Sequence, residues 1–410
     1  MTKQLTGIRV LDLSRILAAP WAAQMLGDMG ADVIKVERPR VGDDSRRFGP
    51  PFLQDAQGRN TLDSAFYISA NRNKRSITID LAKPEGQDLV RQLAAKSDVL
   101  IENYKVGDLK RYGLDYESLR AINPRLIYCS VTGFGQSGPY AARPGYDTVF
   151  QAMGGLMSTT GLPDDVPGGS PMKTGPSLAD ILSGHYTVSS ILSALYHRDM
   201  HSGGGQYIDV ALLDSVIASM SHYASHYLVS GQVPQRRGTE GNGGMPSRMY
   251  RCADRDIVVI AGNEEQFVRL CDVLGCRELV GTTEFKTLAL RGLNRVSLGA
   301  LMEPLFLQWK AADLLAALDG AGVPAGPIYD LAQTFADPHV KSRRMDVDVD
   351  HPNAPGGRLH MVANPVKYSA TPVDNYRAPP SLGQHSQEVL ADVLGMDAPT
   401  IEALAQGGVI

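Results

Sequence analysis

Through residues 1–131, short apolar runs alternate with stretches whose apolar positions fall at three- and four-residue steps. The runs at 8–13, 32–37, 76–80, 99–103 and 126–131 predict strands, and the stretches at 21–29 and 85–95 predict helices between them. Strands interspersed with helices in this way predict an α/β fold built on a largely parallel sheet. Further along, Leu178, Ile181, Leu182, Val188, Leu192, Leu195 and Tyr196 recur at helical spacing and predict a long helix with that stripe against a core. A glycine turn, Gly203-Gly204-Gly205, precedes a predicted strand at 206–212 and a helix at 214–229.

Residues 231–247 lose all periodicity and are rich in Gly, Pro and Arg, which predicts a loop or linker. Beyond it, a run at 256–261 and helical patterns up to 321 predict a second compact unit, closed by the breaker Gly322-Val323-Pro324-Ala325-Gly326-Pro327. A final helix is predicted at 387–394, and no internal repeat occurs. A chain of 410 residues exceeds one simple core and implies two domains.

Composition narrows the function classes. With 40 Lys+Arg against 44 Asp+Glu the formal charge is −4, so no global basic field favours nucleic acid or an anionic membrane. Four cysteines, Cys129, Cys252, Cys271 and Cys276, are scattered without metal-type spacing and fit a reducing compartment, from which a cytoplasmic location is expected. Neither a signal-peptide core nor an apolar run of membrane-spanning length is present, and the nine histidines lack ligand spacing, so no metal is implied.

The candidate chemistry centres on Asp180, in Thr174-Gly175-Pro176-Ser177-Leu178-Ala179-Asp180 at the start of the long helix and off its apolar stripe. Ser177 with Asp180 three residues later also reads as a capping box that satisfies free backbone N–H groups. The two readings are compatible, because the helix macrodipole is expected to hold a carboxylate there ionised and ready to attack an electrophile. Basic residues concentrate at Arg38, Arg40, Arg46 and Arg47 and again at Arg72, Lys74 and Arg75, both near predicted strand ends, where α/β proteins commonly bind ligands and where phosphates would find charged donors. Gly133-Phe134-Gly135-Gln136-Ser137-Gly138 matches the dinucleotide pattern G-x-G-x-x-G, but Pro139 and Pro144 prevent a helix from starting there, so it is read as a turn. His185 reads as a helix-face residue. Gly241, Gly243 and Gly244 read as a linker or as a flexible lid.

Taken together, several segments resemble the class III CoA-transferases, the family of formyl-CoA transferase, carnitine CoA-transferase and, as a divergent branch, α-methylacyl-CoA racemase. The matching stretches run in the family's order through nearly the whole chain: Leu5-Thr6-Gly7-Ile8-Arg9-Val10-Leu11-Asp12, Gly30-Ala31-Asp32-Val33-Ile34-Lys35-Val36-Glu37-Arg38-Pro39, Asn73-Lys74-Arg75-Ser76, Glu102-Asn103-Tyr104, Asn123-Pro124-Arg125-Leu126-Ile127, Gly133-Phe134-Gly135, the Asp180 turn, the 322–327 breaker, Asp337-Pro338 and Leu382-Gly383-Gln384-His385. The resemblance implies a Rossmann-like large domain formed by both chain ends (1–225 and 326–410), a smaller α/β domain (226–325) and an interlocked homodimer. It places the nucleophile on Asp180, CoA phosphates on Arg38 and Lys74, adenosine and pantetheine near Asn103 and Tyr104, and further CoA contacts on Ile16, Leu17, Ala18, Arg72 and Arg111.

The chemistry it implies is transfer of CoA from an acyl-CoA donor to a free carboxylic acid through an aspartyl anhydride and an aspartyl-CoA thioester. CoA is then a substrate rather than a permanently bound cofactor. Arg236, Arg237 and Arg248, near the glycine stretch, are candidates for holding a second carboxylate, which suggests a dicarboxylate such as succinate on one side. The alternatives are an acyl-CoA racemase and a non-catalytic CoA-thioester binding protein. Tyr146 occupies the position of the racemase histidine, and a neutral phenol is a poor base near pH 7, which favours the transferase.

Overall fold

A computed structural model describes residues 2–241 and 245–410, so of the glycine stretch Gly241 is described while Gly243 and Gly244 lie outside the described residues. The chain divides into two compact units. The larger comprises 1–157, 173–233 and 341–410, and the smaller 158–172 and 234–340.

Six strands make up the sheet of the larger unit: β1 (Arg9–Asp12), β2 (Asp32–Glu37), β3 (Lys74–Thr78), β4 (Val99–Glu102), β5 (Ile127–Thr132) and β6 (Tyr207–Ala211). Their order is β3-β2-β1-β4-β5-β6 and every pairing is parallel. The order reverses between β1 and β4, which opens a crevice at the carboxyl ends of those strands. Buried on both faces, the central strands read as continuous apolar runs, as in Val10-Leu11 and Val99-Leu100-Ile101. Val10, Val33, Ile101, Cys129 and Val131 pack on one face with helices α1 (Ala18–Asp28) and α3 (Leu178–His197). Leu11, Ile34, Leu100 and Tyr128 pack on the other with α2 (Pro84–Ala95) and the carboxyl-terminal helices at Ser386–Leu394 and Ala398–Gln406. Both ends of the chain therefore build one unit.

Several expectations are corrected. The third strand lies at Lys74–Thr78 rather than 76–80. The helix expected at 214–229 is two helices, Leu212–Ser219 and Ser221–Ser230, broken where Ser221 adopts φ +48°. The buried stripe of α3 is Ala179, Ser183, Gly184, Thr187, Val188, Ile191, Ala194 and Leu195, whereas Tyr196 is exposed. Small residues form this face because α1 crosses it closely: a Cβ on Gly184 would lie 2.9 Å from the Ala18 carbonyl oxygen and 3.0 Å from Trp21 Cδ1.

The smaller unit holds an antiparallel sheet of β7 (Ser247–Arg251), β8 (Asp256–Ile260) and β9 (Ala325–Pro327), with β8 in the centre. Phe267, Leu270, Leu298, Met302, Phe306 and Leu314 fill its core, and Tyr250 stacks on Phe306 at 3.9 Å. Its bounds differ from the expected 226–325 for physical reasons. The presumed breaker contains β9, paired with β8 through Ile257 and Pro327, a place where an edge strand tolerates proline. The excursion 158–172 carries no periodicity in its run Gly161-Leu162-Pro163-Asp164-Asp165-Val166-Pro167-Gly168-Gly169 that would have betrayed it.

Candidate active site

Loops leaving the carboxyl ends of β1, β4 and β5 converge on a cleft of about 270 Å³ within the larger unit. Its walls include Ile16, Leu17, Ala18, Asn103, Tyr104, Asp147 and Asp180. Buried ionic groups hold the first loop. Lys35 Nζ bonds the Ser14 carbonyl oxygen at 2.9 Å and Asp43 Oδ2 at 2.8 Å, while Asp43 Oδ1 accepts the Ile16 N–H at 3.1 Å. Burial disfavours the charges, but their mutual attraction prevails, raising the Lys35 pKa and lowering that of Asp43 to about 2. Ile16 is thereby held at φ +73°, a left-handed conformation that β-branched residues avoid. The second loop is pinned to the first by Asn103, whose Oδ1 accepts the Arg15 N–H at 2.8 Å and whose Nδ2 donates to the Arg15 carbonyl at 2.6 Å.

Asp180 stands in the first turn of α3. The expected capping box does not form, since Ser177 makes no side-chain cap. Asp147, at the start of the helix Asp147–Met153, does that work: its Oδ1 accepts the N–H groups of Ala179 at 2.7 Å and Asp180 at 3.3 Å. Buried Gln151 donates to Asp147 Oδ2 at 2.5 Å and accepts the Thr174 N–H at 2.9 Å, tying the turn before α3 to the same carboxylate. With the helix end claimed by Asp147, the macrodipole does not keep Asp180 acidic. Burial first, and then the neighbouring Asp147 charge, push its pKa up to about 7. Among the described residues its carboxyl group has no hydrogen-bond or ion-pair partner, so it faces the cleft half-ionised near neutral pH.

The structure brings together six of the sequence-derived site residues, Asp180, Asn103, Tyr104, Ile16, Leu17 and Ala18. Arg38 is exposed one residue beyond β2, and Arg111 is exposed and stacked on Tyr112 at 4.6 Å; neither lines the cleft. Lys74 is fully buried, and its Nζ bonds Asp12 Oδ2 at 2.8 Å, the Pro20 carbonyl at 2.9 Å and Asn71 Oδ1 at 2.9 Å. An ammonium group has three donors, so none is left for a phosphate. Lys74 instead fastens the first turn of α1 to the sheet. Arg72 is likewise committed, holding Asp28 through two bonds of 2.9 and 2.6 Å. In the smaller unit, Arg236 pairs with Asp164, and Arg248 with Glu303 at 2.9 Å and Glu240 at 3.5 Å, while Arg237 is exposed.

Three cleft cations were not singled out from sequence: Arg15, which lies over the Tyr104 ring at 5.0 Å and pairs with Asp44, Lys105, and Arg143, stacked on Tyr140 at 3.8 Å. Arg15 lies two residues beyond the first predicted strand, the one signal that would have found it. Asp147 was visible only as the neighbour of Tyr146, which is 74% exposed at the cleft wall. Gly133, of the G-x-G-x-x-G match read as a turn, lines the cleft, and no helix begins between it and Asp147. A Cβ there would lie 2.5 Å from the Phe150 ring, so glycine serves packing at this position.

Comparison with known proteins finds relatives over nearly the whole chain. A succinate–glutarate CoA-transferase of Agrobacterium fabrum is 47% identical over 389 residues, covering 95% of each chain. The succinyl-CoA:glutarate CoA-transferase of Homo sapiens is 39% identical over 408 residues, covering all of this chain and 90% of that one. Among solved structures, a CAIB/BAIF family protein from Brucella suis superposes with a TM-score of 0.84 at 44% identity, covering 96% of this chain and all of its own. The family model for CoA-transferase family III matches residues 5–386, and the chain, a CoA-transferase, belongs to that family.

Proposed function

We propose that the enzyme moves CoA between succinate and a second carboxylic acid, with Asp180 as the covalent carrier. The observation that carries this reading is the placing of Asp180, without a partner of its own, in the same cleft as the Ile16–Ala18 and Asn103–Tyr104 segments. The names of the relatives, which pair succinate or succinyl-CoA with glutarate, D-citramalate and mesaconate, support a dicarboxylate on both sides.

In the proposed reaction the Asp180 carboxylate attacks the thioester carbonyl, and CoA leaves as its thiolate, giving a mixed anhydride on Asp180. The thiolate then attacks Cγ of Asp180, expelling the donor acid as a carboxylate and forming an aspartyl-CoA thioester. The acceptor carboxylate attacks that same carbon and releases the thiolate again. Finally the thiolate attacks the new acyl carbonyl and restores Asp180. Every bond broken is replaced by one of similar energy, so the exchange needs neither metal nor nucleotide. A carboxyl group with its pKa near 7 suits these steps, since a more basic carboxylate is a better nucleophile while about half remains ionised.

The exposed cations Arg38, Arg15, Lys105 and Arg143 are the proposed phosphate contacts, in place of Lys74 and Arg72, with Arg111 as an outer contact. A homodimer completes the proposal, supported by the helix Ser221–Ser230: it buries none of its residues, and Leu228 and Val229 are 79% and 88% exposed. No described helix is long and apolar enough to cross a membrane, and four free, buried cysteines fit a reducing cytoplasm.

The test incubates the protein with succinyl-CoA and a panel of free acids, detecting new thioesters by mass spectrometry, beside Asp180→Ala. Exchange in the parent with none in the variant is expected, as is hydroxylamine trapping on Asp180 during turnover. Turnover by Asp180→Ala would remove the carrier role.

A further inference from the structure

Five buried side-chain polar atoms lack a hydrogen-bond partner among the described residues: Gln4 Oε1, Trp21 Nε1, Thr132 Oγ1, Tyr250 Oη and one nitrogen of Arg291. Only Thr132 among these residues lines the cleft that holds Asp180. It ends β5, its register partner is Ala211 of β6, and it is followed by the tightly packed Gly133, so its backbone is fixed by the sheet. Two residues back on the same strand the Ser130 hydroxyl is engaged: it donates to Glu102 and accepts from Tyr207 at 3.0 Å. A shielded hydroxyl left alone is an unfavourable element of the resting fold, and at a cleft wall a bound ligand can supply the missing partner.

The nature of the missing partner follows from the surroundings. A hydroxyl proton is satisfied by any neutral acceptor, and Asp147 and Asp180 already supply the negative charge of this cleft. An acyl-CoA thioester offers such acceptors in its thioester carbonyl and in the amide carbonyls of its pantetheine arm.

We infer that Thr132 is a substrate-binding residue whose hydroxyl donates a hydrogen bond to a carbonyl oxygen of the bound acyl-CoA. This rests on the proposed transferase reading and adds a contact to it. Thr132→Val removes the hydroxyl and keeps the shape. Its kcat/KM for succinyl-CoA is expected to fall at least about tenfold while the urea midpoint stays level or rises, because an unsatisfied group has been removed. Thr132→Ser is expected to retain most activity. A fall mainly in kcat assigns the contact to the thioester carbonyl, and a rise mainly in KM to a pantetheine amide.

Unchanged kcat/KM in Thr132→Val overturns the inference, as does a loss of activity matched by a loss of stability that Thr132→Ser fails to restore. Calorimetric binding of succinyl-CoA separates the two layers. If the parent transfers no CoA yet binds it about tenfold more tightly than Thr132→Val, the transferase reading falls and the Thr132 contact stands.

Discussion

Replacing Asp147 by asparagine is the sharpest test of how the cleft sets the reactivity of Asp180. The new amide keeps an oxygen for the Ala179 N–H, so the start of α3 stays capped while the charge is lost. Asp147 Oδ1 lies 3.3 Å from the Asp180 nitrogen. A side-chain carboxyl carbon is at most about 4 Å from its own nitrogen, so the two carboxyl groups are within about 7 Å. At an effective dielectric of about 20, Coulomb's law gives about 2 kcal/mol for two charges at that distance. Because water reaches the cleft, about 1.4 kcal/mol, or about one pKa unit, is the expected effect.

The Asp180 pKa should then fall from about 7 towards about 6. At pH 6 the ionised fraction would rise roughly fivefold, from about one-tenth to about one-half. The assay is the pH profile of kcat/KM for succinyl-CoA from pH 5 to 9: activity requires the ionised form, so it rises with pH through the Asp180 pKa, and in Asp147→Asn that limb moves to lower pH. An amide facing the Gln151 NH₂ group costs a hydrogen bond, so a stability loss of about 1 kcal/mol accompanies the shift. A limb that stays in place, or moves to higher pH, refutes the electrostatic account.

Burial of an acid with a raised pKa costs stability once it ionises, because between pH 4 and 7 the folded state binds the proton more tightly than the unfolded chain; Asp180→Asn should therefore raise the urea-derived stability at pH 8 by about 1–3 kcal/mol, with the gain fading as the pH falls from 7 to 4. Lys74→Met leaves Asp12 buried without its counter-ion and should cost about 3–5 kcal/mol in chemical denaturation, and an intact stability with selectively weakened CoA binding would restore the phosphate role. Gly184→Val drives a side chain into the Ala18 carbonyl and Trp21, so a loss of about 2 kcal/mol and a rise in KM for acyl-CoA are expected, measured by thermal unfolding and initial rates. Leu228→Glu should shift a dimer to monomer in sedimentation velocity, and an unchanged mass would remove the helix Ser221–Ser230 from the interface.

The parallel sheet was legible because its strands are short, apolar and separated by helical periodicity, and that pattern survives in any α/β core. The face of α3 was not. Periodicity counts Leu and Tyr as inward-facing, whereas close crossing by α1 selects Ala, Ser and Gly, which a hydrophobicity pattern scores as neutral. The site was half legible. Motif position located Asp180, Asn103, Tyr104 and the Ile16–Ala18 segment, but basic residues in one motif are indistinguishable in sequence whether they face solvent, as Arg38 does, or salt-bridge inside the fold, as Lys74 and Arg72 do. Asp147 escaped because its role is set by a contact across 33 residues of sequence, with the Asp180 N–H.

The larger unit buries a set of ion pairs, Lys35 with Asp43, Lys74 with Asp12, Arg46 with Glu37 and Asp63, and Arg72 with Asp28, each with its partners almost wholly buried. Every cation in the set is matched by at least one acid at contact distance, so these groups project no positive field. Long-range attraction for a polyphosphate tail then comes only from the few solvent-facing guanidinium and ammonium groups at the rim, whose reach contracts to about 8 Å at physiological ionic strength. Added salt should thus slow the encounter with CoA while leaving the architecture that receives it untouched, so that the association rate responds to an ion to which the fold is indifferent.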